Sequence, residues 1–248
     1  MLKCAMKVAL GDAPVLILGE SGSGKESIAR AIHRISARRH DSFVKVNCLT
    51  TGAGMLESKL FGHERGPLDD IAGRKIGRLE PASLELANHG VLFLDDVAHV
   101  PQDLQDKLLR LLQRREFEAV GGTRAIQANV RLIASTKYDL GKRVAEQMFR
   151  GELYDQLNVF PIWVPPLRER RDDIPMLARY FTQKFARRLN KHIESIPAES
   201  MSLLMNANWP GNVRQLEILI ERSVALTDGP ELRVSHFGEL QQSKVVNG

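Results

Sequence analysis

Eight consecutive residues, Gly19-Glu20-Ser21-Gly22-Ser23-Gly24-Lys25-Glu26, have the types and spacing to hold phosphate. Three glycines let the backbone turn several N–H groups into one concavity, and a lysine follows that can meet the outer phosphates. A second acidic element suits the same chemistry. Val91-Leu92-Phe93-Leu94 runs straight into Asp95-Asp96. One carboxylate at the end of a neighbouring strand can hold Mg²⁺, usually through water, and another can orient or deprotonate an attacking water. The bland alternatives are a glycine-rich turn that binds nothing and an acidic pair that only forms a turn. The register of strand, loop, lysine and helix argues against the first, and the coupling of the two motifs against the second.

These residues need elements to place them. Pro14–Leu18 reads as a short buried strand entering the glycine loop, and Ser27–Ile32 as the helix leaving it, whose N-terminus adds partial positive charge. Five apolar runs recur, at Val15–Leu18, Phe43–Val46, Val91–Leu94, Val130–Ala134 and Val159–Val164. Their alternation with helical or loop-like sequence predicts an α/β layer with a parallel sheet buried on both faces. Leu104, Leu108, Leu111 and Leu112 share one face of a helix between the third and fourth runs. After Pro165-Pro166 the pattern turns helical, with faces at Ile174, Leu177 and Phe181, at Met201, Leu204 and Met205, and at Val213, Leu216, Ile220 and Val224. The expected division is 1–168 for the nucleotide-binding α/β domain, 169–238 for a helical domain and 239–248 for a frayed tail. No internal repeat is visible.

Composition fits a soluble intracellular protein. Of 248 residues, 43% are hydrophobic and 26% charged, and the formal charge is +5. No apolar run spans a bilayer, and the N-terminal residues lack a signal peptide's apolar core. No membrane partner is expected. Two distant thiols, Cys4 and Cys48, fit a reducing compartment and suggest a cytoplasmic location. Basic residues gather at Arg34, Arg38 and Arg39, at Arg168, Arg170 and Arg171, and at Lys184, Arg187, Arg188 and Lys191. They could track a nucleic acid, but no nucleic-acid-binding signature accompanies them, which favours solvated helix faces and subunit contacts.

A glutamate after the P-loop lysine is unusual among P-loops. With it, the chain resembles the AAA+ domain of bacterial enhancer-binding proteins, the activators of sigma-54 RNA polymerase. The resemblance also rests on Val46-Asn47-Cys48, Leu60–Glu64, Gly90–Val97, Lys107–Gln113 with Phe117–Gly122, and Val130–Thr136. It continues through Leu157–Pro161, Pro165–Arg170 with Asp173-Ile174-Pro175, and Trp209–Leu216. It implies a five-stranded α/β domain with a helical lid, assembled in a ring, usually a hexamer. ATP would lie between the domains and against the next subunit. By similarity Gly19, Glu20, Ser21, Gly22, Ser23, Gly24, Lys25 and Glu26 bind phosphates, and Asp95 binds Mg²⁺. Asp96 takes the place of the glutamate that activates water, and Asn47 that of the residue restraining it. Thr136 and Lys137 lie where the family senses the γ-phosphate. Arg214 resembles the lid arginine that reports nucleotide state, and Arg150 a finger into the neighbour's site. Asn47 capping a strand end, and Arg214 pairing with a surface acid, are the structural alternatives.

The sequence departs from the family pattern where ATP turnover becomes work. Gly66-Pro67-Leu68-Asp69-Asp70-Ile71 stands where active members read GAFTGA, so the loop is not expected to engage sigma-54 in the family manner. Asp96 is one methylene shorter than glutamate. Gln156 stands where a second trans-acting arginine is expected, and Lys137 replaces a neutral residue. No receiver domain precedes Cys4 and no DNA-binding helix-turn-helix follows Leu232, so DNA binding is not expected of this chain. The expectation is an ATP-binding domain of the sigma-54-activator type with weak hydrolysis and impaired remodelling. The alternatives are a nucleotide-gated oligomeric interaction module (scaffold, antagonist or regulator with another sigma factor) and an active remodeller that tolerates its altered loop.

Overall fold

A computed structural model describes residues 2–63 and 82–234. The chain divides into two compact units, Met1–Gly19 with Lys25–Val164, and Glu20–Gly24 with Pro165–Gly248. Among the described residues no helix is long and apolar enough to cross a membrane.

The first unit is built on five parallel strands. They are β1 (Val15–Leu18), β2 (Phe43–Asn47), β3 (Val91–Asp95), β6 (Arg131–Thr136) and β7 (Phe160–Trp163), in the spatial order β2-β3-β6-β1-β7. These are the five apolar runs, and the fold is the expected α/β layer. Its two faces follow from side-chain alternation. Leu16, Val46, Leu92, Leu94, Leu132 and Ala134 enter one apolar cluster, and Val15, Ile17, Val91, Phe93, Ile133 and Ile162 another. Helices α1 (Leu2–Ala9) and α2 (Lys25–Ile35) pack on the second face. α3 (Ala53–Phe61), α4 (Ser83–Leu86), α5 (Gln102–Arg114), α6 (Leu140–Ala145) and α7 (Gly151–Leu157) belong to the first. A two-stranded antiparallel ribbon, β4 (Glu116–Glu118) with β5 (Ala125–Gln127), follows α5.

Two arginines lock this unit from inside. Arg131, 1% exposed, donates to the carbonyls of Ala9 and Val8. Arg38 forks onto Asp12 and also donates to the carbonyls of His89, Gly90 and Asn129. It is a buried structural hub, so it tracks no nucleic acid.

The strand ends align. Leu18 is in register with Thr136, and Asn47 with Asp95. This row of carboxyl ends presents polar side chains above an apolar sheet, the usual ligand position in an open α/β fold.

The second unit contains α8 (Ile174–Arg188), α9 (Ala198–Asn206) and α10 (Asn212–Leu226) around a core that includes Phe181, Phe185, Leu204, Trp209, Leu216 and Ile220. Lys184 pairs with Glu217, Arg188 with Glu221, and Lys191 donates to the carbonyls of Ala225 and Thr227. Much of the third basic cluster therefore fastens α8 and its end to α10. A single bridge between Ser195 and Glu231 was not visible as a strand-like run.

Candidate nucleotide site

In the first unit, β1 delivers Gly19 and α2 begins at Lys25. The Lys25 side chain is 7% exposed, and its Nζ donates to the Gly19 carbonyl at 2.9 Å. Glu26 turns sideways. Its carboxylate accepts from Lys45 Nζ at 2.6 Å and from Arg30 at 2.8 Å. Burial pushes the Glu26 carboxyl up, but the bonds from Lys45 and Arg30 outweigh it and leave the group below its usual range.

Asp95 ends β3 and is braced on both oxygens. Ser135 Oγ donates to Oδ1 at 2.6 Å, and Lys45 Nζ stands 3.3 Å from Oδ2. Asn47 Nδ2 makes a long contact with Oδ2 at 3.5 Å, while its Oδ1 accepts from the amides of Leu49 and Thr50 at 3.0 Å. Asn47 thus caps the end of β2 and meets Asp95 rather than Asp96. Asp96 has left-handed backbone, φ 59°, a conformation that aspartate tolerates better than most residues. Beneath them Cys48 is buried, and that burial, with Asp95 and Asp96 nearby, pushes its thiol up to about 12.

Thr136 is fully buried at the end of β6. Its Oγ1 accepts from the Tyr138 amide, and its carbonyl accepts from the Gly19 amide. Lys137 is exposed, with Nζ 5.0 Å from the Tyr138 ring centroid. Arg150 caps α7 and pairs with Asp106 of α5 at 2.6 Å, whereas Gln156 lies half-buried on α7.

The second unit holds the middle of the glycine loop, Glu20–Gly24. Arg168 forks onto the Glu20 carboxylate at 2.6 and 2.9 Å. Asn212, fully buried at the start of α10, donates to Glu20 at 3.0 Å and to the Ser21 carbonyl at 3.1 Å, and accepts the Leu167 amide at 2.7 Å. The Arg168 and Asn212 hydrogen bonds hold the Glu20 carboxyl down to about 2. Arg170 donates to the Ser23 carbonyl. Arg214 is exposed on α10, and its amide donates to the Gly22 carbonyl at 3.3 Å. Gly22 has φ 73°, and a Cβ there would stand 2.4 Å from the Gly211 oxygen.

The loop fits a phosphate. Ser23 is 1% exposed and its Oγ has no hydrogen-bond partner among the described residues, an unspent donor inside the glycine loop. Gly24, at φ 99°, has no atom within 4 Å of where a Cβ would stand. For Mg²⁺, no cluster of three His, Cys, Asp or Glu side chains exists among the described residues. Mg²⁺ needs no such cage when phosphate oxygens and water supply the remaining ligands, so the single braced carboxylate of Asp95 is a fitting donor.

Sequence reasoning passed over Lys45, Ser135 and Asn212 as site residues, and it treated Arg168 and Arg170 only as surface charge or family motif. The lysine in the otherwise apolar run Phe43–Val46 was the available signal. Residues 66–71, where the altered loop was identified, lie outside the described residues.

Comparison with known proteins gives these geometries a family. Residues 1–163 match the family described as the sigma-54 interaction domain, and residues 168–246 the AAA+ ATPase lid domain. The chain is 55% identical over 235 residues to the formate hydrogenlyase transcriptional activator FhlA of Escherichia coli, covering 95% of this chain and 33% of that protein. It is 47% identical over 228 residues to the regulatory protein AtoC of E. coli, covering 92% and 48%. The chain therefore spans about a third to a half of the length of these curated relatives. The crystal structure of NtrX from Brucella abortus in complex with ATP superposes with a TM-score of 0.83 at 38% identity, covering 92% of this chain and 49% of that one. A second NtrX structure, in complex with ADP, matches equally well, with a TM-score of 0.83. The chain belongs to the sigma-54 interaction domain family of AAA+ proteins.

Proposed function

We propose that this chain binds ATP and ADP with Mg²⁺, hydrolyses ATP slowly, and acts in a ring of identical copies on sigma-54 RNA polymerase in the cytoplasm. One observation carries the nucleotide reading. Lys25 is buried at the start of α2, in the same unit as Asp95, which is braced at the end of β3. The ADP and ATP complexes of NtrX support it. Residues 1–168 would form the nucleotide-binding part, with the helical part over 169–238.

The residues divide the work by their chemistry. The amides of Gly19–Gly24, the Lys25 ammonium and the Ser23 hydroxyl would hold phosphate oxygens. Mg²⁺, held by Asp95, would neutralise charge between phosphate oxygens. Asp96 would orient the attacking water, with less reach than a glutamate. Thr136 and Lys137 would face the γ-phosphate, Arg214 would report nucleotide state, and Arg150 would act on a neighbour's site once it leaves Asp106.

Two positions argue for slow turnover. Gln156 donates a hydrogen bond but brings no charge to a transition state, where an arginine finger is worth about 10³–10⁵ in rate. Asp96 adds a smaller defect. The family match supports sigma-54 as the partner class, and Pro67, Asp69 and Asp70 would weaken that contact. The same two catalytic positions favour a second reading, an oligomeric interaction module gated by nucleotide without significant turnover.

Two measurements test this. Calorimetry should show ATP binding that Lys25→Ala weakens; equal affinity in both proteins refutes the site. Steady-state hydrolysis should rise with protein concentration, because the finger acts in trans. The double change Asp96→Glu with Gln156→Arg should raise kcat at least about tenfold. No gain in the assembled state refutes the account of the defect, and no hydrolysis before or after repair favours the interaction module.

A further inference from the structure

P-loops that carry Ser or Thr after the lysine use its hydroxyl on Mg²⁺. This chain has Glu26 there, a third negative charge beside Asp95 and Asp96 in the region proposed to receive phosphates. The structure shows what offsets it. Phe43, Lys45 and Asn47 alternate onto one face of β2. Phe43 stacks on Phe93 of the sheet, its ring centroid 5.9 Å away, with the Arg30 guanidinium of α2 4.6 Å over it. Lys45 comes next along that face, under the start of α2. An apolar residue would suit the packing. The lysine instead carries its ammonium to Glu26 Oε2 at 2.6 Å and to Asp95 Oδ2 at 3.3 Å, with 31% of its side chain exposed.

We infer that Lys45 is a positioning residue that bridges Glu26 to Asp95 and sets how strongly nucleotide binding depends on Mg²⁺. The inference rests on the nucleotide-binding reading above. A fixed ammonium between the two carboxylates does part of the charge neutralisation that a divalent cation does elsewhere. It also holds Glu26 turned aside and fixes one oxygen of Asp95, while Ser135 fixes the other. Without it, Glu26 keeps Arg30 but Asp95 loses Lys45, and the three carboxylates are offset by one positive charge fewer. Nucleotide alone is then repelled, and a divalent cation is bound more tightly.

The test measures ADP binding to the full chain by calorimetry, once in EDTA and once in saturating Mg²⁺. Lys45→Met should weaken binding in EDTA roughly tenfold, as expected for removing one unit charge at short range in a partly solvated site. In saturating Mg²⁺ the loss should stay below about threefold, and the Mg²⁺ concentration for half-maximal effect should fall. Lys45→Arg should keep both affinities. The double variant Lys45→Met with Glu26→Gln restores the charge balance and should return EDTA binding to within about twofold of the original. A purely structural brace would not be rescued this way. The ratio of the two affinities does not depend on the folded fraction, so partial instability does not blunt the test. Equal losses in EDTA and Mg²⁺, or no rescue by the double variant, overturn the inference. Failure of the unaltered chain to bind ADP under either condition would instead overturn the nucleotide reading.

Discussion

Two glutamates flank the glycine loop, and they are held in opposite ways. Glu20 belongs to the second unit, where Arg168 takes both its oxygens in a planar fork and the buried Asn212 adds a third bond. Glu26 belongs to the first unit, where the neighbouring Arg30 takes one oxygen and the ammonium of Lys45 takes the other and also reaches Asp95. A guanidinium fork fixes a carboxylate's plane as well as its charge, whereas an ammonium acts as a point charge that several acids can share. The Glu20 side therefore shapes the loop, and the Glu26 side tunes the charge around it. Substitutions on the first side should chiefly cost stability; on the second, chiefly ligand affinity.

The largest expected effect lies on the Glu20 side, within the loop itself. Gly22→Ala puts a Cβ 2.4 Å from the Gly211 carbonyl oxygen at a backbone φ of 73°. Left-handed strain and steric overlap together should destabilise the chain by about 3–5 kcal/mol in denaturant unfolding. Gly24→Ala carries the strain of φ 99° but meets no atom within 4 Å, so its cost should be about 1–2 kcal/mol, with a clear loss of nucleotide affinity. Equal destabilisation by the two would show that the loop is not held tightly against Gly211.

Asn212→Ala comes next. It strips the acceptor from the buried Leu167 amide and a donor from Glu20, at a residue whose φ of 53° suits Asn better than Ala. The expected cost is about 2–3 kcal/mol by chemical unfolding. Asn212→Gly relieves only the backbone part, so it should lie between the two. If the glycine variant matches wild type, the carboxamide bonds contribute nothing.

On the other side, Ser135→Ala removes the 2.6 Å bond to Asp95. Asp95 keeps Lys45, so stability should fall by only about 1 kcal/mol. Nucleotide binding in Mg²⁺ should weaken more than binding in EDTA, because the freed oxygen is on the carboxylate proposed to hold Mg²⁺. A variant that loses stability but no affinity would break the proposed division between the sides.

The sequence carried the fold further than the site. All five strands were legible as short apolar runs set off by polar or turn residues, although only the inner ones are buried on both faces, β2 being mostly half-buried and β7 mostly exposed. Their spatial order was not, since it depends on crossovers that leave no local signal. Lys25 and Asp95 were legible as candidates because the chemistry proposed for them demands adjacent motifs. Lys45, Ser135 and Asn212 act through contacts 19, 40 and 192 residues away, and a lone lysine in an apolar run was the one local hint of any of them. The resemblance pairs Asn47 with Asp96, while in this structure its carboxamide accepts from the amides of Leu49 and Thr50 and makes a long contact with Asp95. Arg38 shows the limit of charge counting, because a guanidinium that satisfies three carbonyls and an aspartate reads in sequence like any surface base.

The smallest expected effect is a pH dependence that belongs to the Glu20 side. The Arg168 and Asn212 bonds hold the folded Glu20 carboxyl at about 2, below its ordinary value of 4.5. A carboxylate depressed by folding adds stability that is fully present above the unfolded value and is lost as pH falls towards the folded one. The window is thus from about 4.5 down to about 2. The Glu20 and Arg168 side chains are 37% and 40% exposed, so solvent and salt screen most of the gain. Glu20→Gln should therefore be slightly less stable than wild type at neutral pH and low salt. The gap should close as pH falls through the window, and it should narrow at high salt at any pH. Unfolding midpoints for both proteins across that range give the answer. A gap that persists unchanged to the acid end would mean that Glu20 holds the loop by shape alone, and the contrast with Glu26 would then be one of geometry rather than charge.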